Sequence, residues 1–322
     1  MKAGDKTVAD TIAAAAAVLG DRARRDVPLG PFTTYGVGGP AALLLEGCGP
    51  EELALAGRAV AASGVPVLVV GRGSNLLVAD RGFPGLALTL GEFFAAIHPG
   101  RGDGQPEGVR AGGAVSLPVL ARRTAALGLR GLEWAVGVPG SVGGAVRMNA
   151  GGHGSDVQAC LTRAWLWDLG AEAAVGAAEV ETADLGLAYR QSGIGPLQVV
   201  VAAEFVLRSG DRAEAEAEIA AVVRWRREHQ PGGSNAGSVF ANPDGDSAGR
   251  LIDAAGLRGL RRGSAFVSLK HANFVQVDEG GSADDVRALM EEVRTTVERR
   301  FGIVLHLENR PVGFDPSPSS GG

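Results

Sequence analysis

The sequence predicts an α+β fold in two parts: a larger N-terminal part, and a smaller α+β part after about residue 210. Three observations carry this reading. Helical and strand-like segments are mixed along the chain without an internal repeat. Two glycine-rich stretches, Gly71–Asn75 and Gly137–Gly151, interrupt the larger part. Neither stretch completes a familiar nucleotide fingerprint. After Gly71 and Gly73, a dinucleotide fold of the Rossmann type needs a third glycine at position 76 and a following helix, but Leu76 begins a strand-like run; no P-loop lysine is present either.

The elements follow from composition and punctuation. Alanine dominates Thr11–Leu19 and predicts a helix. The run from Pro28 to Pro40 reads as a loop with a short extended piece. Ala41–Leu45 reads as a strand, Pro50–Ala62 as a helix that exits at Ser63-Gly64, and Val65–Val70 as an apolar strand. Leu76–Asp80, Phe83–Thr89 and Val109–Ala111 continue as strands, with a polar connection over Gly100–Gly108. Ser116 is placed to cap a helix through Leu127, with Pro118 in its first turn. Ala164–Leu169, Ala188–Ser192 and Val199–Leu207 read as strands, and Ala213–Glu228 as a helix. The loop Gln230–Gly237 has the composition of a boundary. Beyond it come a short helix from Ser247 or Ala248 to Ala255 and strands at Ala265–Val267 and Asn273–Val277. Ser282 caps a last helix, on which Val286, Leu289, Met290, Val293, Val297 and Phe301 share one face. Ile303–Leu307 reads as a final strand. The domain reading is an N-terminal helix or extension over 1–28, a cofactor-binding domain over 29–210, a substrate-binding domain over 211–314, and a disordered tail at 315–322.

Composition narrows the function. Of 322 residues, 21% are charged and the net charge is −5, so no global field draws the chain to nucleic acid or to an anionic membrane. An anionic ligand must be held by local groups. Lysine occurs only at Lys2, Lys6 and Lys270, which singles out the last. Cys48 and Cys160 have no metal-ligand spacing and suit a reducing compartment, here the cytoplasm. The Ala-rich N-terminal run is too short to span a bilayer, and Asp5 and Asp10 fit a signal peptide poorly. The five histidines, His98, His153, His229, His271 and His306, form no metal-ligand pattern, so no metal is expected.

A chain that gives up side chains in two stretches does so where something approaches its backbone closely. Successive N–H groups of such turns form nests that hold an anion such as a pyrophosphate. Taken alone, each stretch reads equally as a tight turn. Likewise Arg190 alone reads as a surface arginine, Ser238 as a loop or cap residue, and Glu308 as a solvated carboxylate. Arg224, Arg226 and Arg227 beside Trp225 read as a solvated helix end favoured by the dipole.

Eight segments taken in order change that balance. Thr33-Thr-Tyr-Gly-Val-Gly-Gly39, Gly71-Arg-Gly-Ser-Asn-Leu-Leu77, Gly137–Gly151, Tyr189-Arg-Gln-Ser192, Ala236-Gly-Ser-Val-Phe-Ala-Asn-Pro243, Ala248–Leu257, Val267–Phe274 and Leu307-Glu-Asn-Arg310 together resemble the UDP-N-acetylenolpyruvoylglucosamine reductase family of peptidoglycan precursor synthesis, from residue 29 to about 314. The resemblance is closer to the family's second structural type, which lacks an insertion in the C-terminal domain. It implies a non-Rossmann FAD-binding domain like that of vanillyl-alcohol-oxidase flavoproteins (two subdomains), followed by a smaller α+β substrate-binding domain. It implies non-covalent FAD, NADPH as hydride donor, and UDP-N-acetylglucosamine-enolpyruvate as the substrate reduced to UDP-N-acetylmuramate. No nucleic-acid or membrane partner is implied, and a monomer or weak oligomer is expected.

The resemblance also assigns residues. Arg190 matches the family's arginine for the carboxylate of the enolpyruvyl group, where a planar guanidinium binds bidentately. Ser238 matches the proton donor to the enolic carbon, and Glu308 the glutamate that stabilises the intermediate. For FAD the matching positions are Tyr35, Val37, Gly71, Arg72, Gly73, Ser74, Asn75, Gly137, Pro139, Gly140, Ser141, Val142, Gly144, Asn149, Ala150, Gly151 and His153. For the sugar nucleotide they are Tyr189, Arg190, Asn242, Lys270 and His271, with Arg226 and Arg227 behind them. Two positions depart from the pattern: Ala241 stands where the family often has lysine, and Leu269 where it is commonly acidic. They leave open a paralogous flavoprotein acting on another nucleotide sugar or using oxygen as acceptor. A flavin- or UDP-sugar-binding protein without turnover is the other alternative, against which the joint retention of Arg190, Ser238 and Glu308 speaks.

Overall fold

The computed structural model describes residues 7–100, 108–171 and 176–315. The last residues of the expected tail, and most of the polar connection after Gly100, lie outside the described residues. Seven helices are present among the described residues: α1 Val8–Leu19, α2 Pro50–Ser63, α3 Leu117–Ala126, α4 Val142–Arg147, α5 Arg212–His229, α6 Ala248–Ala254 and α7 Ala283–Phe301. The chain divides into two compact units. The first comprises residues 1–25, 43–72 and 85–228; the second comprises 26–42, 73–84 and 229–322.

In the first unit, an antiparallel sheet of five strands runs in the order Ala178–Glu181, Leu161–Asp168, Gln198–Val206, Gly108–Gly112, Ile97–Pro99. The side-chain period of two decides what each face meets. Ala164 and Leu166 point into one core with Val200, Phe205, Val109 and residues of α3, α4 and α5. Their neighbours Trp165 and Trp167 face the other side, with Trp167 buried among Leu43, Leu45, Leu86, Leu88 and residues of α1 and α2. A sheet buried on both faces has to be apolar on both, which is why Gln198–Val206 reads as a nearly continuous run of Val and Ala. Helix α1 is longer at its start than alanine content indicates, because Thr7 and Asp10 form a capping box. The strand Val67–Val69 runs parallel to Phe83–Leu90, with Val67 opposite Leu86 and Val69 opposite Leu88.

In the second unit, Arg261–Arg262, Ala265–Val267 and Val275–Val277 form an antiparallel sheet. Leu76–Val78 pairs in parallel with Arg310–Val312. The apolar face of α7 (Val286, Leu289, Met290, Val293, Val297) is buried there with Leu251 and Ile252 of α6 and with Leu77. Ser282 caps α7 as its sequence position predicts, its hydroxyl accepting from the Asp285 N–H.

The structure corrects three local expectations. Ala188–Ser192 is not a strand: Ala188 and Gln191 exchange both backbone bonds, 3.0 and 3.1 Å, across a tight turn at Tyr189-Arg190. Ile303–Leu307 is not a strand either, since only Leu307 bridges to Phe240, and the last strand is Arg310–Val312. Glycine-rich 142–147, read from the sequence as part of a run of tight turns, coils into α4 behind the Ser141 cap.

Arg130 fastens α5 to the segment that leads into Gly137. Its guanidinium binds Glu133 at 3.0 Å, Glu214 at 2.7 Å and Glu218 at 2.6 Å. Burial pushes the Glu133 carboxyl up, but its own N–H, the Gly131 N–H and Arg130 outweigh this and hold it below the ordinary range. A depressed carboxyl contributes stability above its unfolded pKa and loses it as pH falls through the folded value. Glu133→Gln should therefore lower the unfolding free energy by about 1–2 kcal/mol at neutral pH, and the difference from wild type should shrink as denaturation is repeated toward acid.

Candidate functional site

The loop Gly71–Asn75 is built from backbone. Among the described residues, no protein group accepts from the amides of its five residues, nor from those of Gly140 and Ser141. Consecutive amides without acceptors form the concave donor surface that an anion fills. Gly71 has no room for a side chain, because a Cβ there would strike the Ser141 hydroxyl. That hydroxyl is already committed to the Gly144 N–H at 3.3 Å, where it caps α4. Gly73 has φ +60°, and a Cβ would meet Thr33 Cα at 2.6 Å and the Phe32 carbonyl. The α4 amides themselves are taken: Val142 donates to Val115 at 2.8 Å and Gly143 to Gly113 at 2.9 Å. Of the expected Pro139–Gly144 donors, Gly140 and Ser141 are the ones that stay open.

Asn149 is 1% exposed and sits at φ +40°. Its amide is spent on the protein, donating to Ala188 O at 3.0 Å and accepting from the Gln158 N–H at 3.0 Å. Ala150 and Gly151 line the same turn, and Gly151 pairs with Asp156. His153 lies edge-on to Trp225 at 5.0 Å and against Gly137. Burial and then Arg226 hold its imidazole below its ordinary pKa. Arg72 and Pro139 are exposed.

Arg190 adopts φ +58°, a left-handed conformation that costs an arginine about 1 kcal/mol or more. Its guanidinium donates to Gly151 O at 2.9 Å and lies 4.9 Å over the Tyr189 ring. Tyr189 itself is exposed.

The second unit holds Ser238 and Glu308 on neighbouring segments. The Glu308 N–H donates to Val239 O at 2.8 Å. The half-buried Ser238 hydroxyl has no hydrogen-bond partner among the described residues. Asn309, quoted in the Leu307–Arg310 segment but given no role by the sequence reading, ties the group together. It is 3% exposed, and its Nδ2 donates to Ala236 O at 2.9 Å, Asn75 Oδ1 at 3.1 Å and Ser238 O at 3.4 Å. Asn75 Nδ2 in turn donates to Glu308 O at 3.0 Å, and its carbonyl accepts from Arg310 N–H at 2.8 Å. Within the second unit, the Gly73–Asn75 part of the loop and the segments that carry Ser238 and Glu308 are thus one hydrogen-bonded assembly. Asn273, also passed over, holds the next residue on both sides through Phe240 N–H at 3.0 Å and Phe240 O at 2.8 Å. The signal for Asn309 was its place between Glu308 and Arg310; nothing in the sequence announced its burial.

Tyr35 and Val37 are buried in the core of the second unit. Burial raises the Tyr35 phenol far above its ordinary pKa, with the Ala236 amide beside it. The Thr34 hydroxyl is buried and unpartnered, an orphan donor next to this position. Of the expected sugar-nucleotide residues, Lys270 and Asn242 are exposed, Asn242 Oδ1 accepting from the Ala248 N–H at 3.1 Å. His271 is half-buried, its Nδ1 accepts from the Asn273 N–H at 3.2 Å, and burial followed by Arg258 lowers its pKa. That bond leaves Nε2 as the imidazole donor. Leu269 is 75% exposed. No group of three His, Cys, Asp or Glu among the described residues is arranged to hold a metal ion, and no described helix is long and apolar enough to cross a membrane.

Open amides and a glycine that admits no Cβ fit a dinucleotide held through its pyrophosphate. The sequence profile of an FAD-binding domain matches residues 44–168, and this is a flavoprotein of that class. The profile of the UDP-N-acetylenolpyruvoylglucosamine reductase C-terminal domain matches residues 229–312. UDP-N-acetylenolpyruvoylglucosamine reductase of Synechococcus sp. (strain CC9311) is 42% identical over 90% of this chain and 93% of its own length. Reductase 2 of Symbiobacterium thermophilum is 43% identical over 92% and 94%. The crystal structure of the Thermus caldophilus reductase superposes with a TM-score of 0.76 at 36% identity, covering 90% of this chain and 99% of that one. The chain belongs to the UDP-N-acetylenolpyruvoylglucosamine reductase family, and its fold is the expected α+β with an FAD-binding domain.

Gly71→Ala tests the cradle. The new methyl displaces the Ser141 hydroxyl from its cap, so the purified variant should carry less FAD per chain while its far-ultraviolet circular dichroism stays that of wild type. Full flavin content, read from the visible absorbance, would remove this close approach from cofactor binding.

Proposed function

We infer that the protein reduces the enolpyruvyl group of UDP-N-acetylglucosamine-enolpyruvate to UDP-N-acetylmuramate, with NADPH as reductant. The observation that carries the reading is the half-buried Ser238 hydroxyl with no partner among the described residues, held on the same assembly as Glu308 and the Gly73–Asn75 part of the cradle. A flavin- or sugar-binding protein without turnover has no need of a hydroxyl kept unpartnered on a segment bonded to the one that carries Glu308. Relatives of one name over nine-tenths of the chain speak against a paralogue with another substrate.

The cofactor would be held by the amides of Gly71–Asn75, Gly140 and Ser141. Bound FAD supplies the two-electron carrier between NADPH and the terminal enolpyruvyl carbon. The remaining work falls to side chains. Negative charge develops at the neighbouring carbon and its carboxylate, where the Arg190 guanidinium is the cation proposed to meet it. Ser238 donates a proton to that carbon. A serine hydroxyl is a weak acid, but a carbanion-like carbon is a strong base, so the transfer runs downhill once the two are in line. Glu308 orients the donor and stabilises the intermediate. Tyr189, Asn242, Lys270 and His271 are the proposed contacts to the sugar nucleotide. Arginine 190 could not be replaced by lysine without losing the two-point contact. We place the enzyme in the cytoplasm.

Separated half-reactions test these roles. Ser238→Ala should leave flavin reduction by NADPH nearly unchanged and slow reoxidation by the enolpyruvyl substrate by several orders of magnitude; unchanged reoxidation would remove the serine from the mechanism. Arg190→Lys should raise KM and lower kcat together, and wild-type kinetics would reject the bidentate carboxylate contact.

A further inference from the structure

The segment Arg147–Gly151 and the turn that carries Arg190 are fastened at four points. Ser192 Oγ donates to Arg147 O at 2.6 Å, and Arg147 Nη1 donates to Gly195 O at 2.8 Å. Asn149 Nδ2 donates to Ala188 O at 3.0 Å, and Arg190 Nη2 donates to Gly151 O at 2.9 Å. Ala188 is the first residue of the turn whose third residue is Arg190, so Asn149 grips the base of the turn while Gly151 receives the guanidinium. The turn needs the grip. A tight turn with positive φ at its third residue favours glycine, and here that place holds arginine at φ +58°. Asn149 is itself left-handed at φ +40° and 1% exposed. Its other bonds, to the Gln158 N–H at 3.0 Å and Asp156 Oδ2 at 3.5 Å, leave the carboxamide one orientation.

We propose that Asn149 is a positioning residue for Arg190: its carboxamide holds the turn in the left-handed conformation that presents the guanidinium, rather than contacting the flavin directly. The proposal rests on the assignment of Arg190 to the substrate carboxylate. A turn free to relax would move a planar group out of two-point register, and misplacement of about 1 Å costs on the order of a hundredfold in rate.

Asn149→Gly is the variant that spares the backbone, because glycine accepts the positive φ and what is lost is the carboxamide with its bonds to Ala188, Gln158 and Asp156. The holoenzyme variants Asn149→Gly, Arg190→Ala and the double variant are compared for FAD content, flavin reduction by NADPH, and reoxidation by UDP-N-acetylglucosamine-enolpyruvate. Asn149→Gly is expected to keep its FAD and its reduction rate, to reoxidise roughly 10–100-fold more slowly, and to add nothing in the Arg190→Ala background. Loss of FAD, wild-type reoxidation, or slowing that multiplies with that of Arg190→Ala would overturn the proposal. Wild-type reoxidation by Arg190→Ala alone would instead overturn the reading of Arg190. If Asn149→Gly does not fold, Arg190→Gly supplies the second test, since it relieves the strain that the carboxamide opposes. Recovery of folding in Asn149→Gly/Arg190→Gly supports the proposal, and no recovery overturns it.

Discussion

The buried carboxamide of Asn309 is the interaction on which the proposed chemistry depends. Its two amide hydrogens serve three acceptors, Ala236 O, Asn75 Oδ1 and Ser238 O, and so fix one cradle residue against the loop that carries the proposed acid. The amide hydrogens of a buried carboxamide must find such partners, since leaving one unpaired costs about 1–3 kcal/mol; here the NH2 side is satisfied, while Oδ1 has no partner among the described residues. The same demand that closes the fold therefore also sets the place of Ser238. The Asn75–Glu308 bond and the Glu308–Val239 bond extend the restraint to the carboxylate. With the neighbouring backbone pinned, the Ser238 hydroxyl stays uncommitted without being loose.

The first unit meets its own requirement by a different route. There the cationic group sits on a backbone that would rather be glycine, and four bonds from the Arg147–Gly151 segment hold it. Strain of this kind persists only where the surroundings over-determine the conformation. The glycine-rich stretch thus has two tasks. Gly140 and Ser141 keep amides open, while Asn149 and Gly151, a few residues on, address the arginine turn.

Much of the fold was legible because burial patterns leave a mark on sequence. The apolar period of α7, the Ser282 cap and the apolar run of Gln198–Val206 each follow from local rules, and the structure has them at those places. What the sequence concealed was settled by distant partners. Ala188–Ser192 has strand-like composition, but Ala188 folds back on Gln191 and is held by Asn149, so a turn wins over a ladder. Val142–Arg147 carries two glycines and would not form a helix alone; the Ser141 cap and the Val115 and Gly113 carbonyls supply what propensity lacks. At the candidate site the same division holds. The glycine loops, Arg190, Ser238 and Glu308 were visible as motifs, whereas Asn309 and Asn273 owe their importance to burial, which no short motif encodes.

The most direct measurement is rapid-mixing absorbance on the purified wild-type holoprotein, reduced anaerobically with NADPH and then mixed with UDP-N-acetylglucosamine-enolpyruvate. The account predicts rapid return of the oxidised-flavin band and a sugar-nucleotide product heavier by two hydrogens. A flavin that stays reduced in the presence of this substrate, and reoxidises only when oxygen is admitted, would contradict it.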